Sequence, residues 1–398
     1  MEAARKSAQA RLQAMGLPQR RDEYWKYTRP DLLTTQDVAP AARLILDEAP
    51  LFDTVERLKL VFVDGVFDAQ ASDDLTLEGI EVSQLSDAPE WAQELYGVLE
   101  ENGQSPVARP LAALNSAEAT QGIVIRAHAK VSKPVSLVYI RKSDASDVML
   151  HHVVRVEEGA DLTILENGPA ASRLNSVMEV DIADTGAFHH VRAMGRDHER
   201  RAATHIFGRL GHESIFKSFT MTVNGKLTRN EVVLDINGDN AIAHVAGAAM
   251  GDGDFLHDDT VFITHDSLNC ESRQVFKKVL RNGATGVFQG KILVKAGAQK
   301  TDGYQMSQSL LLDDDSQFYA KPELEIYADD VMCSHGSTTG AIDEEAMFYL
   351  QSRGVNKVEA QDLLVLAFLD AAVDEIEDEA IADDIRSRLE GWLARRRD

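Results

Sequence analysis

Cys333 and His335 stand two residues apart in the segment Lys321-Pro-Glu-Leu-Glu-Ile-Tyr-Ala-Asp-Asp-Val-Met-Cys-Ser-His-Gly336. A thiolate and an imidazole at that spacing can reach one metal ion or one partner surface when the backbone between them is extended, because strand side chains alternate faces. Taken as a single strand, 324–335 divides by parity. Leu324, Ile326, Ala328, Asp330 and Met332 form a mostly apolar face, and Glu325, Tyr327, Asp329, Val331, Cys333 and His335 a mostly polar one. The pair should then share a face directed away from the core. A bulge at Asp329-Asp330 would break that parity. The competing reading makes Cys333 a small buried hydrophobe, as free cysteines usually are, and His335 a turn residue before Gly336.

Other chemistry-bearing residues are more easily explained without a site. Cys270 lies in Leu268-Asn-Cys-Glu-Ser272, where a structural role is expected. His257 and His265 flank Asp258, Asp259 and Asp266, a grouping that could bind a cation or serve a carboxylate-using hydrolase, but solvated turns account for it equally. His151-His152 and His189-His190 would each split across two strand faces, which argues against paired ligation. The acidic run 374–384 reads as a solvated helix face. There is no Gly-x-x-x-x-Gly-Lys-Ser/Thr loop, no Gly-x-Ser-x-Gly elbow and no His-Glu-x-x-His pair. Two cysteines cannot supply a four-thiolate iron–sulfur site.

The elements that must carry these residues follow from periodicity. Residues 1–15 predict a helix closed by Gly16 and Pro18, and 87–101 a second, with Asp87 as its cap and Pro89 in its first turn. From about residue 120 the period becomes two. Met178, Val180 and Ile182 alternate with polar neighbours, as do Phe219, Met221 and Val223, then Val232, Leu234 and Ile236, then Phe288, Gly290, Ile292 and Val294. This predicts an all-β middle. Glycines at 159, 186, 225, 238 and 251 hint at the repeating coils of a β-solenoid, although a sandwich fits nearly as well. After Val355 the period is helical. Val365, Phe368, Leu369, Ala372, Val373 and Ile376 form one stripe, and Ile381, Ile385, Leu389 and Trp392 another. Leu363 to Leu369 is apolar throughout, which predicts cover on more than one side. Arg395 to Arg397 suit a helix C-terminus. The clean change of period suggests that 356–398 could be removed without unfolding the β core.

Composition narrows the function. With 65 acidic against 41 basic residues, the net charge is −24. Such a chain repels phosphate backbones and anionic lipid headgroups, which argues against nucleic-acid and membrane-surface roles. No apolar run approaches the roughly 18 residues of a membrane span, and residues 1–16 do not read as a signal peptide. Two free thiols then fit a reducing cytoplasm.

Against this background, Asp329-Asp-Val-Met-Cys-Ser-His-Gly-Ser-Thr-Thr-Gly340 and Phe348-Tyr-Leu-Gln-Ser-Arg-Gly354 closely resemble the signature of the SufB/SufD family of the SUF iron–sulfur cluster assembly system. The resemblance extends upstream through Ser272-Arg-Gln, Val287-Phe-Gln-Gly-Lys-Ile, Ala298-Gln-Lys-Thr-Asp302 and Leu310-Leu-Leu. It also takes in Gly16-Leu-Pro-Gln-Arg-Arg-Asp-Glu-Tyr-Trp-Lys-Tyr-Thr28. The Cys-Ser-His triplet is of the SufD type, and Gln308-Ser309-Leu310 stands near where a SufB-type cysteine would be. Ser337 and Thr339 depart from the usual alanine and valine, and Ser309 from asparagine. The resemblance implies a mainly β fold. Its core would be a right-handed parallel β-helix over 120–340, flanked by an N-terminal helical and mixed α/β region over 1–119 and a C-terminal helical domain over 341–398. It further implies a non-catalytic scaffold that pairs with SufB through its last strands and with the SufC ATPase through its C-terminal helices, and that admits a homodimer when alone. His335 and Cys333 would complete a nascent iron–sulfur cluster site shared with SufB, while the isolated chain holds no stable cluster. The rival is a β-helix carbohydrate lyase or hydrolase built on Asp258, Asp259 and Asp266. A third reading is a homodimeric adaptor with no metal role.

Overall fold

The computed structural model describes residues 1–42, 50–195 and 197–394, so Arg395 to Arg397 lie outside the described residues. The chain is 42% strand, wound into a parallel β-solenoid of about seven turns. Each turn gives one strand to a ten-stranded sheet and one to a nine-stranded sheet. Arg201 pairs with Leu227 and Thr285 with Gln317, steps of 26 and 32 residues. The glycine spacing of 27 between 159 and 186 is therefore one coil. At one edge of the stack, Thr185, Glu213, Asn240, Asn269 and Lys300 all take a left-handed backbone conformation, with φ between 51° and 60°. The N–H of each of these residues donates to a carbonyl of the next coil, as from Asn240 to Leu268 and from Asn269 to Gln299. A Cβ at Gly238 would collide with the backbone of Gly211 and His212, so glycine is required where these coils touch.

Both sheets are covered outside as well as in. Met178, Val180, Ile182, Val232, Leu234, Ile236 and Phe288 point into the solenoid and are buried together. Phe219, Met221 and Val223 alternate as expected but point outward, under the C-terminal helices. Their polar alternates Ser218, Thr220 and Thr222 are the ones facing the lumen, and they are buried too. A hydrogen-bonded seam runs along the lumen. Tyr139 donates to Glu166 at 2.7 Å, His190 and Arg192 meet Glu166 at 2.9 and 2.7 Å, and Arg192 reaches Thr204 at 2.7 Å. Thr204 then donates to Asn230 at 2.8 Å, and His257 lies 3.1 Å from Asn230 and 2.9 Å from Lys278. Burial alone would raise the Glu166 carboxyl, but Arg192 and His190 hold it well below the usual carboxylate range.

The helices are α1 (Glu2–Met15), α2 (Asp31–Thr34), α3 (Glu90–Leu95), α4 (Val98–Asn102), α5 (Pro110–Glu118), α6 (Glu344–Ser352), α7 (Lys357–Val373) and α8 (Glu379–Ala394). Gly16 closes α1 as expected. The helix predicted over 87–101 is instead two short ones, capped by Pro89 and not Asp87, and broken where Gly97 turns left-handed at φ 77°. The break has a cause. Glu179, between inward Met178 and Val180, is fully buried and accepts the N–H groups of Gly97, Leu99 and Glu100 at 2.6, 2.8 and 3.0 Å. Its carboxylate thereby caps α4.

The C-terminal helices share a core with the solenoid. Val365, Leu369, Ala372, Val373, Ile381, Ile385, Leu389 and Trp392 pack on Val191, Phe219, Met221, Ala248 and Val275. Both predicted stripes are thus correct, and α7 is covered by the sheet and by α6 and α8, while Leu363 remains 46% exposed. The acidic run 374–384 is largely exposed, as expected, and its acids also make specific contacts. Glu375 meets His244 at 3.2 Å and Arg273 at 3.3 Å, Glu377 meets Lys217, Asp378 caps α8, and Asp384 accepts the N–H of Phe52.

Candidate functional site at the open end of the solenoid

The segment 324–335 is not one strand. Gln317–Ile326 ends the nine-stranded sheet, the chain turns through 327–331, and Met332–Gly340 ends the ten-stranded sheet. The corner at Asp329-Asp330 resets the parity. Leu324 points inward on the first strand, whereas Cys333 and His335 point inward on the second, in register with lumen-facing Gly303 and Gln305 of the strand Asp302–Leu311. The two residues do share a face, as the spacing predicted, but it is the lumen face and not the outer one. Among the described residues no further coil covers it, so His335 is exposed and Cys333 half-buried.

The surroundings of the two differ. Cys333 rests against Ile292, Val294, Ala298, Leu324 and Ala328, and burial pushes its thiol up, with Asp302 adding to the effect. The thiol must therefore lose a proton to bind a metal. Along the same lumen row, Ser337 lies 2.7 Å from Ser307, and Ser309 donates to Thr339 at 3.3 Å. Both terminal strands leave backbone groups unpaired along one edge. One thiol and one imidazole are too few ligands for a cluster, but they fit a partial set completed from outside. Among the described residues, no group of three or more His, Cys, Asp or Glu is arranged to hold a metal ion.

The remaining candidates are structural. The Cys270 thiol is buried and donates to the carbonyls of Gly238 and Leu268 at 3.3 Å. His265 is buried against Ser272 Oγ at 2.8 Å, and burial pushes it down to about 4. His257 is buried beside Lys278 and held well below the usual imidazole range, first by burial and then by that ammonium. The carboxylates of the rival reading do not converge. Asp258 points outward to Arg229, Asp259 inward to Lys278, and Asp266 is exposed and paired with Lys295 at 2.7 Å. His151 and His189 lie on outer faces and His152 and His190 in the lumen, so neither pair ligates together.

The periodic reading missed a surface on α6, which has no buried residue. Phe348 is 73% exposed and Tyr349 54%, beside exposed Val358 and Leu363 of α7. Adjacent aromatics in a short helix without an apolar stripe were the available signal.

The class of protein is thus a two-sheet parallel β-solenoid with flanking helices and an open last coil that carries a thiol and an imidazole. Residues 139–368, more than half of the chain, match the family described as SUF system FeS cluster assembly, SufBD core domain, and the chain belongs to that family. It is 29% identical to the iron–sulfur cluster assembly protein SufD of Escherichia coli, over 96% of this chain and 91% of that protein. It is 28% identical to an iron–sulfur cluster assembly SufBD family protein of Synechocystis, over 94% and 86%. The SufD of Bacillus subtilis is 26% identical, over 70% and 66%. The chain therefore has a role in iron–sulfur cluster assembly. No described helix is long and apolar enough to cross a membrane.

Proposed function

We propose that this chain is the SufD-type, non-catalytic scaffold of a cytoplasmic SUF complex, and that it forms a nascent cluster site together with SufB. The observation that carries this reading is the last coil, where Cys333 and His335 share an uncovered lumen face between two strands with unpaired edges. A partner solenoid adding its own terminal strands would extend both sheets by main-chain pairing and bring its thiols over the pair. The cluster is cargo here: His335 and Cys333 bind iron as the cluster is assembled, and the partner supplies the missing ligands. The exposed aromatics of α6 and the open side of α7 support docking of the SufC ATPase on these helices, whose shared core with the solenoid gives nucleotide-driven movement a rigid route to the β framework. Without SufB the same open end is free to pair with a second copy.

The test is co-expression with the SufB and SufC partners, followed by anaerobic purification and measurement of iron and acid-labile sulfide. The wild-type complex should carry both. His335→Ala should assemble normally yet lose most of the iron and fail to complement a SUF-deficient strain. The isolated chain, reconstituted with iron and sulfide, should lose its colour on desalting. Full complementation by a well-expressed His335→Ala, or a stable chromophore on the isolated chain, would refute the reading.

A further inference from the structure

Three inward side chains of the last strand stand beside three of the strand before it: His335 beside Gln305, Ser337 beside Ser307 and Thr339 beside Ser309. In-register neighbours of a sheet lie about 4.8 Å apart along the hydrogen-bonding direction, close enough for such side chains to bond laterally. Two of the pairs do so, at 2.7 and 3.3 Å. In the third, Gln305 is fully buried and its Nε2 donates to Gln274 Oε1 at 2.9 Å. In this arrangement the amide turns its Nε2 toward the deeper coil. Its carbonyl oxygen, Oε1, is buried and has no hydrogen-bond partner among the described residues. A buried acceptor left unpaired is destabilising and calls for a donor. The imidazole one strand along can supply an N–H.

We infer that Gln305 is a positioning residue for His335: its Oε1 accepts the proton-bearing imidazole nitrogen and so leaves the other nitrogen, with its lone pair, facing the open end of the solenoid. The inference rests on the reading of His335 as a cluster ligand and adds the group that sets its tautomer. A ligating histidine is commonly oriented through its second nitrogen in this way, and loss of the orienting group costs about 10- to 100-fold in metal affinity. Gln274 extends the arrangement one coil deeper by anchoring the Gln305 amide, so it positions His335 only through Gln305. Gly290 belongs to the same device, because a Cβ there would collide with the Gln305 amide.

The tautomer can be read directly, without a loaded cluster. The full chain is labelled with 15N-histidine and examined at pH 8, where an ordinary imidazole is neutral. The signals of His335 are identified by their loss in His335→Ala. In the wild type they should report one tautomer. Gln305→Met keeps the volume but removes the acceptor and should give a mixture. Gln305→Glu retains an acceptor and should restore the single tautomer. If the Met variant does not fold, Gly290→Ala displaces the amide and should mix the tautomers in the same way. An unchanged His335 tautomer in folded Gln305→Met or Gly290→Ala overturns the inference. Iron affinity of the co-purified complex separates the two claims. A mixed tautomer with a 10- to 100-fold loss of iron affinity supports both. A mixed tautomer with unaltered iron binding keeps Gln305 as the orienting group but removes His335 from the ligand set.

Discussion

Cys333 lies directly over Gly303: a Cβ at Gly303 would come within 3.1 Å of the Cys333 sulfur. The missing side chain at 303 makes the recess in which the thiol sits against Ile292 and Val294. Gly303→Ala should therefore lift the thiol toward the open end. The fold should lose no more than about 1–2 kcal/mol, as for mild overpacking. The labelling rate of Cys333 by a maleimide should rise severalfold while buried Cys270 stays unreactive, and the SufB-containing complex should retain less iron. Equal labelling rates would mean that the recess does not control the thiol.

A second prediction concerns the N-terminal segment. Tyr24 donates to Glu323 at 2.5 Å, Lys321 reaches Glu23 at 2.6 Å, and Tyr27 stacks on Tyr319 with ring centres 4.5 Å apart. These contacts tie residues 23–27 to the outer face of the penultimate strand. Tyr24→Phe removes one hydrogen bond to a carboxylate and should cost about 1–3 kcal/mol in urea unfolding. Amide exchange over 317–326 should speed up more than exchange in the central coils, and affinity for SufB should fall with it. Uniform exchange changes would argue against a local strap.

The third is a pH dependence. Burial pushes both His152 and His265 down to about 4, whereas an unfolded histidine titrates near 6.5. The folded chain refuses protons that the unfolded chain accepts. The stability tied to these groups is complete above about pH 6.5 and falls as the pH drops toward 4, by on the order of 2–3 kcal/mol for each. Urea midpoints at pH 7.0, 6.0 and 5.0 should decline accordingly. His265→Gln should reduce that slope, and an unchanged slope would assign the acid sensitivity elsewhere.

The fourth separates binding from folding in the C-terminal helices. Phe348→Ala with Tyr349→Ala touches no core residue and should leave stability within about 0.5 kcal/mol. If these aromatics anchor the ATPase, its affinity should fall by about 30-fold or more in calorimetry. Removal of 356–398 should behave differently, because it strips the cover from Phe219, Met221 and Val275 and should give an aggregating product. A soluble, monomeric truncation with a native β signal would show that the shared core is dispensable.

Much of this architecture is legible in the residues, and the failures have identifiable physics. Period-two stretches located the strands, yet alternation alone cannot say which face is inner when both are buried. Phe219 and Met178 thus read alike but point in opposite directions. The Cys333–His335 pair was found because a two-residue spacing survives any rigid rotation of a strand. Its direction was misjudged because the turn at 327–331 contains no glycine or proline to announce it. Glu375 reads as a solvated acid because its partners, His244 and Arg273, are distant in the chain, and the cap that Glu179 gives α4 is equally remote from it in sequence. Gln305 carries no motif, and its interest comes only from one unpaired oxygen and one register.

The attachment of residues 23–27 has a further consequence when set beside the Glu179 cap on α4. Stacked-coil proteins generally tolerate gain or loss of a whole repeat, since each coil contacts only its neighbours. Here the N-terminal region is bolted to one coil through Glu179 and to another, several coils away, through Glu323. That bridge has a fixed span, so it acts as a gauge of solenoid length. A coil inserted between the two anchor points would have to break one of them, even where the new coil stacks well.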